Sequence, residues 1–421
     1  MMFSFTGAPA RRHDVRTLLR VITIALASSA VTVAQATDIR VRPYEDITAL
    51  SRTAKPGDNV LIYPGTFGPS VVEGVHGEPG RPITFRNAPA SPAPAEFDAR
   101  NAEYGLQFID CSHIRIENVV VKNASGAGLL IEGVRAPSED VSIDLVGVAR
   151  SEASDKGCGV VLRNTLAVRI TRLRVSGWSR AALLIESSHD VSLDGGQFAG
   201  VATLPQRSGV EIVGPSSDVS VSHCWFRAAQ GVGFMIGASS AGNAKSAAPS
   251  TTNPASTASA ATLEPAVDRC TISVVRVDDC AGLLAIGSVA RLDVSQCTLI
   301  NARKACWSVL APATGFAQPT GRIANSIFTW QVGAIQQLSP VAEGANASGL
   351  ELDHLLFWSK ELSAMKEHLG SLAGTEKGQI LWDLDPNLDD AGYAQAEGAA
   401  GLGMQRSKKP PAALTPTTPS P

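Results

Sequence analysis

Three charged residues occupy the same place in three successive segments of this sequence. Glu132 ends "GLLIE", Arg163 ends "GVVLR" and Glu186 ends "ALLIE". If the segments are short strands stacked side by side, the three side chains project from one face in acid–base–acid order, about 4.8 Å apart. Such a row can hold a cation and a uronate, or it can be a ladder of cross-strand salt bridges. Both interpretations require segments that stack in register.

The segments recur with a nearly constant period. Eight of them begin, in order, at Leu106, Leu129, Val160, Leu183, Val210, Phe234, Leu283 and Trp307. One step is much longer than the others, and it contains residues 238–266, an Ala/Ser/Thr/Pro-rich stretch that cannot bury a core. Short segments that recur at a nearly constant spacing, apart from one insertion, indicate a solenoid.

The pattern inside each repeat indicates strands rather than helices. Apolar residues alternate at Leu129 and Ile131, then at Val141 and Ile143, and a third apolar pair follows a few residues later. Period-2 alternation is typical of strands with one buried face. We therefore predict an all-β fold, a right-handed parallel β-helix, which is a three-sheet solenoid with an N-terminal cap and a C-terminal helix or cap. The repeats contain no segment long enough for the helices of a leucine-rich-repeat protein.

Composition shifts along the chain predict its organisation. The predicted regions are a signal peptide (1–36), an N-terminal cap and first coils (37–105), the repeats with the low-complexity insertion (106–358), a C-terminal capping segment (359–399) and a disordered tail (400–421). A short capping helix is expected within 46–58, and a second helix within 359–374.

The N-terminus has the features of an export signal. Four arginines precede an apolar stretch from Val21 to Val33, which is followed by the small-x-small sequence Ala34-Gln35-Ala36. The apolar stretch is short for a bilayer span, which takes about 20 residues. We expect a secreted, periplasmic or cell-surface protein with no membrane contact after cleavage, the alternative being an uncleaved anchor.

Charge and cysteine spacing exclude two other classes of protein. The formal net charge is −3, and no basic excess predicts a nucleic-acid surface. Seven cysteines occur without any C-x-x-C pair, so no zinc motif is predicted. Cys224 and Cys297 fall in an inward column and are expected to be core residues, whereas a Cys270–Cys280 disulfide is left open.

Several stretches resemble a known group of proteins. "AKPGDNVLIYPGTFG" (54–68), "GEPGRPITFRNAP" (77–89), "GLQFIDCSHIRIENVVVKNASGAGLLIEG" (105–133) and "DLDPNLDD" (383–390) are similar to exported parallel β-helix proteins of the pectate-lyase-like superfamily. The nearest branch is that of chondroitinase B and the alginate lyases, together with bacterial β-helix proteins of other kinds. One solenoid of this type hosts lyases, hydrolases, epimerases and adhesive or structural proteins.

The resemblance implies β-elimination at a uronate, with a positive charge that neutralises the substrate carboxylate and a base that takes the α-proton. Arg163 and Lys156 are the candidate catalytic residues, and Glu132 and Glu186 are candidate ligands for calcium. The candidate substrate-binding residues lie along one edge of the same face; they are Lys122, Arg150, Arg180, Arg207 and Glu211. The expected partner is an acidic polysaccharide or a cell-surface glycan. The alternative is a non-catalytic glycan-binding or cell-surface structural β-helix, because no Lys–Arg pair with carboxylate and Asn companions forms a recognisable motif.

The hydrolases of this superfamily use clustered aspartates. Asp278 and Asp279 are the one adjacent aspartate pair inside the repeats, and we expect them to form a turn after the third strand.

Overall fold

The fold is built from short parallel strands that follow one another around a central axis. The computed structural model describes residues 36–89, 93–149, 157–201, 206–227, 230–237, 265–312, 315–330, 335, 337–359, 371–382 and 384–389. The chain divides into two units, Met1–Ala36 and Thr37–Pro421, and the architecture below is that of the second. Within the described residues, no helix has the length and apolar character needed to cross a membrane.

Each coil contributes one strand to each of three faces. The first sheet has nine strands: β4 Ser70–Glu73, β7 Tyr104–Ile109, β10 Ala127–Glu132, β13 Cys158–Arg163, β16 Ala181–Glu186, β19 Ser208–Val213, β22 Val232–Ile236, β25 Gly282–Ile286 and β28 Trp307–Val309. Every neighbouring pair in this sheet is parallel. The predicted parallel three-sheet solenoid is confirmed.

The second and third faces follow the first within each coil. The second comprises β1 Asp38–Val41, β2 Asn59–Ile62, β5 Ile83–Asn87, β8 Ser112–Glu117, β11 Ser138–Asp144, β14 Thr165–Thr171, β17 His189–Asp194, β20 Ser216–Ser222, β23 Val267–Ser273 and β26 Val289–Ser295. The third comprises β3 Gly65–Phe67, β6 Ala95–Asp98, β9 Val119–Lys122, β12 Gly147–Ala149, β15 Arg174–Ser176, β18 Gln197–Ala199, β21 Trp225–Arg227, β24 Arg276–Asp278 and β27 Thr298–Ala302. Two long strands, β29 Gly321–Trp330 and β30 Leu350–Trp358, run along both faces, and β31 Thr375–Glu376 and β32 Ile380–Trp382 pair with β30.

The corner between the second and third faces turns at a single residue with left-handed backbone. Asn118 has φ 51° and His223 has φ 52°, but Leu145 (φ 52°) and Val274 (φ 53°) occupy the same corner in other coils. Asparagine tolerates this conformation, whereas a β-branched residue is strained in it. A one-residue corner keeps the two faces in strict register from coil to coil.

Glycine near the start of the first-sheet strands allows the close packing of the first and third faces. A Cβ at Gly128 would lie 2.3 Å from Val148 Cγ1, and one at Gly209 would lie 2.3 Å from Phe226 Cδ1. The inward side chains of the third sheet therefore occupy the space that a side chain at these positions would need.

The interior is an aliphatic and aromatic stack along the axis. Phe198 and Phe226 stack with ring centroids 4.6 Å apart, and Phe328, Phe357 and Trp382 continue such stacking towards the last strands. All seven cysteines are buried and none forms a disulfide, so the Cys270–Cys280 bridge is absent, and Cys224 and Cys297 are core residues as predicted.

The structure refines two details of the sequence analysis. A helix, α1, is present at Ile47–Ser51 with Asp46 as its N-cap, within the segment where a capping helix is predicted. The strand β25 pairs Leu284, not Leu283, with Phe234, so that predicted first-strand start is wrong by one residue. Most of the predicted C-terminal helix, at residues 360–370, lies outside the described residues.

Candidate functional site

The acid–base–acid row forms as the register predicts. Glu132, Arg163 and Glu186 are direct neighbours on β10, β13 and β16, at the outer face of the first sheet. Arg163 Nη1 donates to Glu132 Oε1 at 3.0 Å, and Arg163 Nε donates to Glu186 Oε2 at 2.9 Å. Partial burial alone would lower the pKa of Arg163, but the hydrogen bonds to Glu186 and Glu132 outweigh it and raise the pKa. Arg163 therefore stays protonated and cannot serve as a base.

A tyrosine that the sequence analysis did not single out lies on the same outer face, at the other end of the strands. Tyr104 begins β7, and in its column small residues, Ala127 and Cys158, occupy the next two strands. Burial raises the pKa of the Tyr104 phenol, a hydrogen bond to Glu103 raises it further, and the nearby Arg163 opposes the shift. The phenol is therefore protonated at neutral pH and feels the charges of both Glu103 and Arg163. We call Tyr104, Glu132, Arg163 and Glu186 the Arg163 site.

A comparison of the outward residues at the start of each first-sheet strand would have found Tyr104. The strands of the first sheet begin two residues before the apolar pair used to align the repeats, so the column at Tyr104 was not compared. Tyr104 is the one titratable aromatic residue in that column among the described strands β7, β10, β13 and β16.

The floor beside the Arg163 site is apolar. Leu130, Val161 and Leu184 form one column on the outer face of the first sheet and are buried, with relative exposures of 1%, 4% and 2%. Tyr104 packs against the same cluster. Charges next to such a surface are less screened than charges in open water. The charges of the Arg163 site therefore interact more strongly with one another than exposed charges would.

Arg180 and Glu211, both predicted to bind substrate, bind each other. Arg180 Nε and Nη2 donate to the two carboxylate oxygens of Glu211 at 3.1 and 3.0 Å. Glu211 is fully buried although it stands on the outer face, in the column of Leu184 and Met235. Burial alone would lower the pKa of Arg180, and Glu211 outweighs it and raises the pKa. This pair is a bidentate buried ion pair beside the Arg163 site.

The remaining predicted residues are dispersed. Lys122 ends β9 on the third sheet, where its Nζ donates to Glu96 Oε2 at 2.7 Å. Arg207 precedes β19, and its Nε lies 3.2 Å from Met235 Sδ. Arg150 and Lys156 lie outside the described residues. The structure thus brings together Glu132, Arg163 and Glu186, places Arg180 and Glu211 beside them, and puts Lys122 on another face.

Whether Glu132 and Glu186 can bind calcium depends on the groups that their carboxylates already contact. Calcium takes six to eight oxygen ligands. Glu132 and Glu186 each give an oxygen to Arg163, and the described residues contain no group of three or more His, Cys, Asp or Glu side chains placed to hold a metal ion. As arranged here, these two carboxylates fit a guanidinium and do not fit a calcium ion.

The two adjacent aspartates, Asp278 and Asp279, have different structural roles. Asp279 has φ 53° and forms the turn, as predicted. Asp278 lies in β24, is buried, and accepts hydrogen bonds from Arg276 Nε and Trp225 Nε1. Asp278 therefore has a structural role on the third sheet.

Comparison with known proteins decides the handedness of the solenoid. Residues 98–247 match a family model described as a right handed beta helix region. The chain is a right-handed parallel β-helix. No curated protein is significantly similar to this chain in sequence.

Several solved structures are similar to this β-helix at low sequence identity. A GH136 lacto-N-biosidase from Eubacterium ramulus is 9% identical, with a TM-score of 0.57 over 88% of this chain and 72% of that chain. The PL6 family alginate lyase AlyGC is 12% identical, with a TM-score of 0.45 over 87% of this chain and 56% of that one. A polygalacturonase from Erwinia carotovora ssp. carotovora is 9% identical, with a TM-score of 0.48 over 83% and 95%. The similarity to the lacto-N-biosidase, at 9% identity, shows the fold alone.

Proposed function

We propose that this β-helix acts on a polysaccharide through the outer face of its first sheet, at the Arg163 site. The observation that carries the proposal is the arrangement of Arg163, a protonated guanidinium held between Glu132 and Glu186, with the protonated phenol of Tyr104 on the same outer face. The lacto-N-biosidase that shares the fold is consistent with a glycan as substrate.

The finer proposal is β-elimination at an acidic, uronate-containing polysaccharide. A base takes the proton on the carbon next to the carboxylate, the bond to the leaving glycosidic oxygen breaks, and a carbon–carbon double bond forms. Negative charge develops on the carboxylate as the proton leaves, and a fixed guanidinium opposite it lowers the barrier. Arg163 has this role because its pKa is raised and it remains charged.

Tyr104 is suited to the second proton transfer. Its phenol is protonated at neutral pH, so it can donate a proton to the leaving oxygen rather than accept one. Lys156, outside the described residues, is the proposed base. No step is assigned to calcium, because Glu132 and Glu186 are already bound to Arg163; calcium remains a prediction that added metal and chelator test.

A specific observation favours a second candidate, a non-catalytic glycan-binding or structural β-helix. Arg163 and Arg180 are both fully paired with carboxylates, so neither offers an uncompensated charge to an acidic substrate. In this case the row is a cross-strand salt-bridge ladder that holds adjacent coils together.

The test of the Arg163 site follows product formation. The purified protein is mixed with alginate, pectate, chondroitin or a heparin-type polymer, with calcium or with chelator, and the ultraviolet absorbance of an unsaturated uronate is recorded. A rise in absorbance with one polymer is expected. Arg163→Ala should lower the rate about 10²–10³-fold, and Tyr104→Phe should lower it about 10²–10⁴-fold.

Arg169→Gln is the matched control, because Arg169 is an exposed arginine on β14 of the same coil with no acidic partner among the described residues. Absence of product with every polymer refutes the lyase and leaves the second candidate. A rise in absorbance that Arg163→Ala does not change refutes the site.

We also propose export, on the basis of the N-terminal arginines, the Val21–Val33 stretch and Ala34-Gln35-Ala36. N-terminal sequencing of the protein from a cell-free culture medium or periplasmic extract should find Thr37 as the first residue. An intact N-terminus in those fractions would refute cleavage.

A further inference from the structure

A second surface of the solenoid has the shape of a ligand site and lies on a different face from the Arg163 site. A cleft of about 350 Å³ follows the outer face of the third sheet from β9 to β21. Its floor consists of small residues, namely Gly147, Ala149, Ser176 and Ala199. Because the floor residues are small, they leave room for a molecule that lies along the axis across several adjacent strands.

The walls of this cleft carry positive charge that is not compensated. Arg174 and Arg227 both line the cleft, and no acidic side chain among the described residues pairs with either. Asp278, the neighbour of Arg227 in register, is already bound by Arg276 and by Trp225. These two arginines differ in this respect from Arg163 and Arg180 on the first sheet, whose charges are matched by glutamates.

Arg174 also has an unmet hydrogen-bonding requirement. Its Nε is out of contact with solvent and has no hydrogen-bond partner in the described structure. A buried donor without an acceptor is destabilising, and an acceptor supplied by a ligand removes that cost. An anionic oxygen that reaches Arg174 Nε would therefore supply the missing hydrogen-bond acceptor.

Trp225 supplies a flat apolar surface in the same cleft. Its side chain is held in place by a hydrogen bond from Nε1 to Asp278 Oδ2 at 2.9 Å and by Arg276, whose guanidinium carbon lies 5.4 Å from the ring centroid. Even so, the residue is 38% exposed. A fixed aromatic ring loses little conformational entropy when a ligand packs against it.

The spacing of these groups suits an extended ligand. Arg174 and Trp225 stand two strands apart in one column, with Gln197 between them. At about 4.8 Å per strand their Cα atoms are separated by about 10 Å. A molecule that contacts both must be longer than a single small anion.

We propose that this cleft binds an acidic oligosaccharide, with a sugar ring against the indole of Trp225 and its anionic groups on Arg174 and Arg227. Sugar rings present apolar C–H faces to aromatic rings, and guanidinium groups bind carboxylates by paired hydrogen bonds. A nucleic acid is disfavoured because the chain has a formal net charge of −3 and, among the described residues that line the cleft, Arg174 and Arg227 are the basic ones. The site is distinct from the Arg163 site and does not depend on catalysis.

Equilibrium binding to the full chain tests the proposal. The probes are an oligogalacturonate, the same oligomer with its carboxyl groups reduced to alcohols, and a single-stranded DNA oligonucleotide of similar charge. The oligogalacturonate should bind, and its affinity should fall as salt concentration rises. Because hydrogen bonds between charged groups are strong, Arg227→Gln and Arg174→Gln should each weaken binding about tenfold or more.

Arg169→Gln is the matched control, since it makes the same charge change on the neighbouring face and should leave binding unchanged. Arg227 is exposed, so its variant is expected to fold even if Arg174→Gln does not. Equal binding of the reduced oligomer, preferential binding of the DNA, or equal loss in Arg169→Gln would each overturn the proposal.

The same variants distinguish ligand binding at this cleft from product formation at the Arg163 site. Arg163→Ala should leave oligogalacturonate binding at the cleft intact, whether or not it abolishes product formation. If Arg163→Ala removes binding and Arg227→Gln does not, the acidic oligosaccharide binds at the first sheet and the cleft proposal is wrong.

Discussion

Removal of Arg180 should destabilise the fold far more than removal of a typical surface arginine. Arg180 makes both hydrogen bonds to Glu211, which is fully buried, and the neighbours of Glu211 in its column are Leu184 and Met235. These neighbours have no side-chain donor to replace the guanidinium. Loss of one partner of a buried ion pair typically costs about 3–5 kcal/mol. We therefore expect Arg180→Ala to lower the free energy of unfolding by about that amount.

Urea denaturation followed by circular dichroism measures this loss. The dependence of unfolding free energy on urea should be unchanged, so that the shift in midpoint reports stability. Arg172→Ala is the control, since Arg172 pairs with Asp144 but its side chain is 50% exposed. An exposed pair contributes at most about 1 kcal/mol.

A double variant distinguishes a lost pair from lost packing. Arg180→Met combined with Glu211→Leu removes both charges while filling similar volume, and should recover most of the stability because no charge remains buried alone. A loss below about 1 kcal/mol in Arg180→Ala, or a double variant no more stable than the single one, would refute this reasoning.

Three further predictions concern other parts of the solenoid. The hydrogen bond from Arg269 lowers the pKa of Asp218 to about 2, so its small stabilising effect is present at neutral pH and is lost as pH falls from about 4 towards about 2; Arg269→Ala should raise the pKa measured by NMR towards its usual value of about 3.9. The seven cysteines are buried, and burial raises the pKa of Cys297 to about 12, so a thiol reagent should label none in the native protein and seven after denaturation. Val274→Gly should stabilise the protein by up to about 1 kcal/mol in urea denaturation, since φ is 53° at this corner; destabilisation would contradict the strain argument.

The repeat period and the alternation of apolar residues were sufficient to predict the solenoid and the row at Arg163. Both depend on which residues point inward, and period-2 alternation reports that directly. The acid–base–acid order at Glu132, Arg163 and Glu186 followed from the same alignment, and the register confirms it. The alignment failed at Leu283 because two adjacent leucines satisfy the inward pattern equally well.

Side-chain partners across coils could not be predicted in the same way. The pairing of Arg180 with Glu211 depends on a guanidinium that reaches from the residue before β16 to the next strand, which no spacing rule specifies. Tyr104 was missed because its column lies outside the inward pair used to align the repeats. The charge balance of the third-sheet cleft depends on which partner Asp278 takes, and that is a matter of geometry rather than of sequence.

The strict register of the coils gives the outer surface translational symmetry along the axis. Each column offers the same backbone position again at every strand, about 4.8 Å further on. A functional row can therefore be moved to another coil by a few substitutions at outward positions, without change to the core. Ile109, the member of the column that precedes Glu132, is such a position. The fold thus separates the evolution of its surface chemistry from that of its interior.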